Sequence, residues 1–189
     1  MRKLIYSLFV SLDGYVETPD HRLDWATIDE EVQTFVNQQS RGIDLSLYGR
    51  RLYELMIDYW PSAEENPSTP GHEAEYARIW KATQRLVFSK TLKEVAWNST
   101  LVREIIPEEI RKLKEQPGKD IEIGGPALAA QFIRLGLVDE YQPYVFPVVL
   151  GGGTPFFPPL DNPINLRLIE QRQFRSGATS LRYEAAQSP

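Results

Sequence analysis

The sequence predicts a three-layer α/β protein with a mostly parallel central sheet and antiparallel strands or a hairpin near the C-terminus. Three observations carry that expectation. Apolar runs rich in Ile, Val, Leu, Tyr and Phe alternate with segments whose apolar residues recur at helical spacing, and near-continuous runs of this kind suit strands covered on both faces. Several runs pass through turn residues directly into a helix start, as in "YGRR" at 48–51 and "IGGP" at 123–126. The C-terminal stretch loses the helical spacing and reads as two strands around a Ser-Gly turn.

In chain order, "KLIYSLFV" (3–10) is the first strand and ends at the turn "SLDG". Residues 27–40 form a helix carrying Ile28, Val32, Phe35 and Val36, with Thr27 as its N-cap. "IDLSLYG" (43–49) is a second strand, followed at once by a helix over 50–60 with Leu52, Leu55, Met56 and Tyr59 on one face. The proline-rich stretch 61–72 has no apolar run and is expected to be an exposed loop. A helix over 73–83 leads into the strand "RLVFS" (85–89). "PEEIRKLKEQPG" (107–118) has Pro and acids at its start, bases later and Gly118 as a stop. "DIEIGG" (120–125) is a strand, and "PALAAQFIRLG" (126–136) a helix opened by Pro126 and closed by Gly136. The β-rich segment 139–153 holds Pro143 and Pro147, which lack ladder donors and point to an edge or bulged strand. Residues 167–186 close the fold as a hairpin turning at Ser176-Gly177.

At 189 residues and 42% hydrophobic content, the chain is expected to form one domain, 1–189, around one core. The net charge of -5 and the lack of a Lys/Arg block argue against nucleic acid or a membrane surface as partner and favour a small molecule. The absence of Cys excludes disulfides, thiolate metal sites and cysteine nucleophiles, and cytoplasm is the expected location. "MRKLIYSLFVSLDG" imitates a signal peptide, but Ser, Tyr and Asp13 interrupt it and it reads better as a strand.

Ligands of open parallel sheets bind beyond the carboxyl ends of the strands, so four strand exits, "SLDG", "YGRR", "FSKT" and "IGGP", are read together. Gly124-Gly125 serves either a tight turn or the approach of an anion to bare backbone at a helix start. Arg50 and Arg51 in the first turn of a helix oppose its dipole unless an anion or neighbouring carboxylates balance them, and solvated arginines are the plain alternative. Ser89, Lys90 and Thr91 form either a phosphate clamp or a surface turn. A long ligand containing a diphosphate, such as a dinucleotide, would use all of these exits at once.

Five segments, "SLFVSLDGYV", "LYGRRLYE", "RLVFSKTL", "IEIGGPALAAQFIRLGLVDEY" and "PVVLGGGTPFF", in this order across nearly the whole chain, resemble the dihydrofolate-reductase-like superfamily. More closely, they look like the reductase domain of bacterial riboflavin-biosynthesis deaminase-reductases and its stand-alone relatives. The resemblance implies NADPH as cofactor. Gly49, Arg50, Arg51 and the turn Gly124, Gly125, Pro126, Ala127 and Leu128 would lie at its phosphates. Ser89, Lys90 and Thr91 would lie near the adenosine 2′-phosphate, and Val10 and Ser11, ending the first strand, at the nicotinamide. It further implies a homodimer and hydride delivery to a small heterocyclic or ribosylated pyrimidine substrate. The zinc deaminase half of the bifunctional enzymes has no counterpart in a chain without Cys. Folate reductases use an acid on the first helix, where this chain offers Asp29, Glu30 and Glu31.

Asp13 is either a catalytic group, orienting substrate or relaying a proton, or a turn former before Gly14. Trp25, Tyr59 and Trp60 either stack a flat substrate or belong to the core. Gly152, in "LGGGTPFF", either approaches cofactor or substrate with bare backbone or turns the chain. His21 and His72 lack metal-pair spacing, so no metal is expected. The functional expectation is an NADPH-dependent reductase. The alternatives are a dimeric ligand-binding protein that keeps the nucleotide crevice without turnover, and a pterin or folate reductase. A phosphate-transfer enzyme is disfavoured by the missing P-loop lysine.

Overall fold

A computed structural model describes residues 1–186 of the expected 1–189 span. Its elements are β1 (Leu4–Ser11), β2 (Tyr15–Glu17), α1 (Glu30–Ser40), β3 (Ile43–Gly49), α2 (Arg50–Ala63), α3 (Gly71–Ala82), β4 (Gln84–Phe88), β5 (Ser99–Val102), α4 (Pro107–Glu115), β6 (Asp120–Gly124), α5 (Pro126–Arg134), β7 (Glu140–Phe146), β8 (Thr154–Pro155), β9 (Leu166–Gln173) and β10 (Thr179–Ala185). An eight-stranded sheet runs β5-β4-β3-β6-β1-β7-β10-β9, and β2 and β8 form a separate two-stranded ribbon. All pairings from β5 to β7 are parallel, and β10 and β9 join antiparallel. This is the expected α/β architecture. No helix among the described residues is long and apolar enough to cross a membrane.

The period-two alternation of the central strands sorts their side chains onto two faces. Leu4, Tyr6, Leu45, Leu47, Ile121 and Ile123 pack against Ile110 of α4 and Leu128, Phe132 and Ile133 of α5. The opposite face is more mixed. Val32 and Phe35 of α1 pack on Tyr144, Phe146 and Phe174 at one end, and Tyr53 of α2 on Tyr48 and Val87 farther along. Buried Arg85 donates to the carbonyls of Trp80 and Trp97, and its guanidinium lies 3.9 Å over the Trp80 ring. Glu122, on β6 between two apolar core residues, also points to this face.

Four local expectations are corrected. Asp29, not Thr27, caps α1, its side chain accepting from the Val32 N–H at 2.8 Å, and Ile28 lies exposed before the helix. Helix α2 continues through Pro61 to Ala63, because a proline in the last turn forfeits only one hydrogen bond there, so the loop begins later. Strand β7 ends at Phe146 and is interior, between β1 and β10. Pro143 is tolerated there because its ladder with β10 lapses between the Tyr141↔Tyr183 and Tyr144↔Ser180 pairs. The short strands β2, β5 and β8 are additions that no apolar run announces.

Burial pushes the Glu122 carboxyl up from 4.5 to about 7. Between those pH values the folded state keeps a proton that the unfolded chain has released. Stability from this group is therefore complete below the lower value and is lost as pH rises to the upper one, by about 3 kcal/mol. Urea unfolding at pH 5 and pH 8 is expected to show most of that loss in the wild-type protein and a much smaller one in Glu122→Gln. Equal losses in both proteins would remove Glu122 as the cause.

Candidate functional site

The exits of β4, β3, β6 and β1 lie on four adjacent strands, so the segments singled out in the sequence share one end of the sheet. Helices α2 and α5 start from the middle two. Gly49 precedes α2 and Gly125 precedes α5, and neither helix has a side-chain cap. The first N–H groups of each therefore lack side-chain acceptors. The two starts interlock: a Cβ on Gly124 would lie 2.5 Å from Leu52 Cδ2, and one on Gly49 would lie 3.6 Å from Leu128 Cβ. Gly125 takes φ +91°, a left-handed angle that favours glycine. The glycine pair thus brings two helix N-termini close together, with bare N–H groups and two positive dipole ends, the arrangement that receives an anion.

The arginines of α2 have carboxylate partners. Arg50 reaches Glu54 one turn along, and Arg51 bonds Glu17 at 2.6 Å. Carboxylates therefore balance this pair of cations, and the case for an anion rests on the N–H groups instead. Glu17, which the sequence did not single out, is a hub. Its side chain is 7% exposed and also accepts from the Thr154 hydroxyl, with His21 Nδ1 at 2.8 Å. Burial raises its pKa, but the hydrogen bonds from Arg51, Thr154 and His21 outweigh that and hold it below the usual range. One carboxylate thus ties α2, the 17–22 turn and the start of β8 together.

Asp13 is a second tie. It accepts from Ser11 Oγ at 2.6 Å and from the N–H groups of Leu150 and Gly151 at 3.1 and 2.7 Å. The Ser11 hydroxyl, joined by these backbone N–H groups, holds the carboxyl down at about 2. At neutral pH Asp13 is an ionised acceptor that fastens the 150–153 loop, which favours its structural reading over a proton relay. Gly152 lies in that loop beside Pro19. Ser11 also accepts from the Tyr15 N–H, and Val10 turns its side chain into the core, so both present mainly backbone to a ligand.

At the β4 exit, Ser89 Oγ accepts from the N–H groups of Thr91 and Leu92, and Lys90 is exposed with no ion-pair partner among the described residues. Arg103, just past β5, donates to the carbonyls of Ser89 and Leu92 and adds a second cation beside this turn. The sequence reading missed it along with β5.

The aromatic candidates part company. Trp25 donates to the Val16 carbonyl and packs edge-on against Phe146, beneath the exit of β1. Trp60 lies ten residues into α2, about 15 Å from its start, wedged between Tyr59 and Tyr76. It belongs to the α2–α3 contact, which argues against its assignment to substrate. Neither Asp29 nor Glu31 on α1 is free: Asp29 caps the helix, and Glu31 accepts from the Arg175 N–H and lies 3.7 Å from Arg172. Glu30 is exposed. No group of His, Asp and Glu suited to a metal ion occurs among the described residues.

An open α/β sheet with helix starts converging at one end, antiparallel strands closing one edge and a glycine loop over the first strand is the dihydrofolate-reductase-like fold. Within that class the chain belongs to the RibD C-terminal domain family, which matches residues 2–180. It is 38% identical over 185 residues to uncharacterized protein YyaP of Bacillus subtilis (strain 168), covering 96% of this chain and 94% of that one. Among solved structures, one from Shewanella sp. PV-4, whose name provisionally places it in riboflavin biosynthesis, gives a TM-score of 0.76 at 21% identity, covering 98% and 99% of the two chains. The Thermotoga maritima diaminohydroxyphosphoribosylaminopyrimidine deaminase/5-amino-6-(5-phosphoribosylamino)uracil reductase gives 0.66 at 14% identity, with 98% of this chain covering 57% of that one. Dihydrofolate reductase from Enterococcus faecalis, complexed with NADP(H), gives 0.64 at 14% identity, covering 98% and 97%.

The loop carrying Gly152 and Gly153 offers a sharp test of this geometry. A Cβ on Gly153, whose φ is +129°, would lie 1.8 Å from the Glu17 carbonyl oxygen, whereas one on Gly152 meets nothing closer than Pro19 Cγ at 3.6 Å. Gly153→Ala is expected to cost about 2–3 kcal/mol and Gly152→Ala under about 1 kcal/mol, measured by urea unfolding. Similar costs for the two would mean that the loop does not pass against β2 as described.

Proposed function

We propose that this protein is an NADPH-dependent reductase that delivers a hydride to a small heterocyclic or ribosylated pyrimidine substrate, of the kind for which the Thermotoga neighbour is named. The observation that carries the reading is the pair of uncapped helix N-termini over adjacent strands, a cradle that fits a diphosphate. The N–H groups of Arg50, Arg51 and Leu52 on α2 and of Ala127 and Leu128 on α5 would hold it; Pro126 contributes no N–H. Lys90 and Arg103 beside the Ser89 turn would meet the 2′-phosphate, and the backbone of Val10 and Ser11 would border the nicotinamide. NADPH supplies the hydride when bound, and the chain's part is positioning and electrostatics. Membership of the RibD C-terminal domain family supports the same reading. A pterin or folate substrate is less well supported, since no unengaged carboxylate at the start of α1 faces inward to anchor one.

Turnover separates this reading from a binding-only protein: NADPH absorbance should fall only when a ribosylaminopyrimidine is added. Binding of NADPH with no oxidation by any such substrate would favour the binding protein instead. Lys90→Ala is expected to weaken NADPH at least tenfold, about 1.4 kcal/mol, and to leave NADH nearly unchanged in calorimetric titration. Equal losses for the two would refute the placement of the 2′-phosphate.

A further inference from the structure

A second opening lies at the other end of the strands. A cavity of about 160 Å³ separates the C-terminal half of α1 from the sheet, with Gln38, Gln39 and Gly42 at its mouth and Ser7, Glu122 and Gln142 among its sheet residues. The Glu122 carboxyl makes no hydrogen bond or ion pair among the described residues, and it sits deep in the molecule, so its remaining accessibility opens into this space. A smaller crevice shares Ser40, Ile43 and Glu122 with the cavity and continues under α3 to Trp80. The indole N–H of Trp80 is buried there with no acceptor within hydrogen-bond geometry among the described residues. Two unpartnered polar groups in adjoining spaces are uncommon in a folded protein, where nearly all such groups are satisfied.

The charges around the cavity settle the sign of a ligand. Arg182 is committed to Glu140 at 2.6 Å, and Lys3 lies 3.9 Å from the same carboxylate. Asp120 accepts from the Lys3 N–H. That leaves the charge of Glu122 without a counterion. Gln142 donates its amide N–H to Ser180 at 3.3 Å, leaving its side-chain carbonyl as a second acceptor. The volume is comparable to that of a cavity that takes benzene.

We propose that this cavity binds a small organic cation with paired N–H donors, an amidinium or guanidinium of one ring or less, held by the Glu122 carboxylate and the Gln142 carbonyl. The inference is independent of the nucleotide reading, because the two sites open at opposite ends of the sheet. A cation selects the ionised carboxylate, so binding should strengthen from pH 6 to pH 8, through the range into which burial moves Glu122. The other charged or titratable groups facing it are Asp120 on its own strand, Tyr48 on β3, Tyr76 on α3, Arg85 on β4, Glu140 and Tyr144 on β7, and Arg182 on β10. Glu122→Gln separates its contribution from theirs.

The test is calorimetric titration of the full chain and of Glu122→Gln with acetamidine and benzamidine, and with neutral benzamide, at pH 6 and pH 8. Expected are amidine dissociation constants of about 1 mM or tighter at pH 8, at least tenfold weaker binding of benzamide, and at least tenfold weaker amidine binding to Glu122→Gln and at pH 6. In the wild-type protein, benzamidine should shift the backbone amide resonances of Ser7, Glu122 and Gln142 and leave that of Leu128 in place, which locates the site even if the variant fails to fold. No amidine binding, equal binding of benzamide, equal binding to the variant, or shifts confined to other residues would each overturn the proposal and leave the cavity to water.

Discussion

The close approach of α2 and α5 over the ends of β3 and β6 is the constraint on which the functional end of the molecule depends. It requires that β6 end without a side chain where Leu52 lies, and that the next residue take a left-handed angle, and Gly124 and Gly125 meet those two demands separately. Pro126 then starts α5 where its missing N–H costs nothing. Two helices that begin without side-chain caps keep their first N–H groups available, at a small cost in helix stability. That cost is offset by the apolar packing of Leu128, Phe132 and Ile133 against the sheet.

Around this fixed pair the loop segments are fastened by two carboxylates. Glu17 joins the 17–22 turn and Thr154 to Arg51, and Asp13 holds the Leu150–Gly151 backbone. Both hold a loop in place beside the strand exits. The face of the sheet beneath α1 and α3 is built differently from the one beneath α4 and α5. The latter is apolar throughout, whereas the former holds buried Ser46, Arg85, Gln142 and Ser180 and half-buried Glu122. Buried polar groups weaken a core unless they are paired, and Arg85 is paired while Glu122 is not.

Much of this was legible in the sequence because it follows from periodicity. The long apolar strands and the helix starts at "YGRR" and "IGGP" are local patterns, and the four exits they mark lie on adjacent strands. Strands β2, β5 and β8 were not legible, since pieces of two to four residues carry no period, and Arg103 was lost with β5. The partners of Arg51 and Asp13 lie 34 and 137 positions away, so the residues are visible in the sequence but their engagements are not. The packing of Trp60 between Tyr59 and Tyr76 was not legible, because an aromatic at the end of a helix reads alike whether it faces a ligand or another helix. Pro143 misled because its tolerance depends on the lapse in the ladder with β10.

The central claim is that the two helix N-termini together receive a diphosphate. It is tested most directly by following backbone amide resonances of the isotopically labelled protein as NADPH is added. Saturable changes that are largest at Arg50, Arg51, Leu52, Ala127 and Leu128, and that inorganic pyrophosphate reproduces in part, are the expected result. Binding that leaves those five amides undisturbed, or no binding at all, would contradict it.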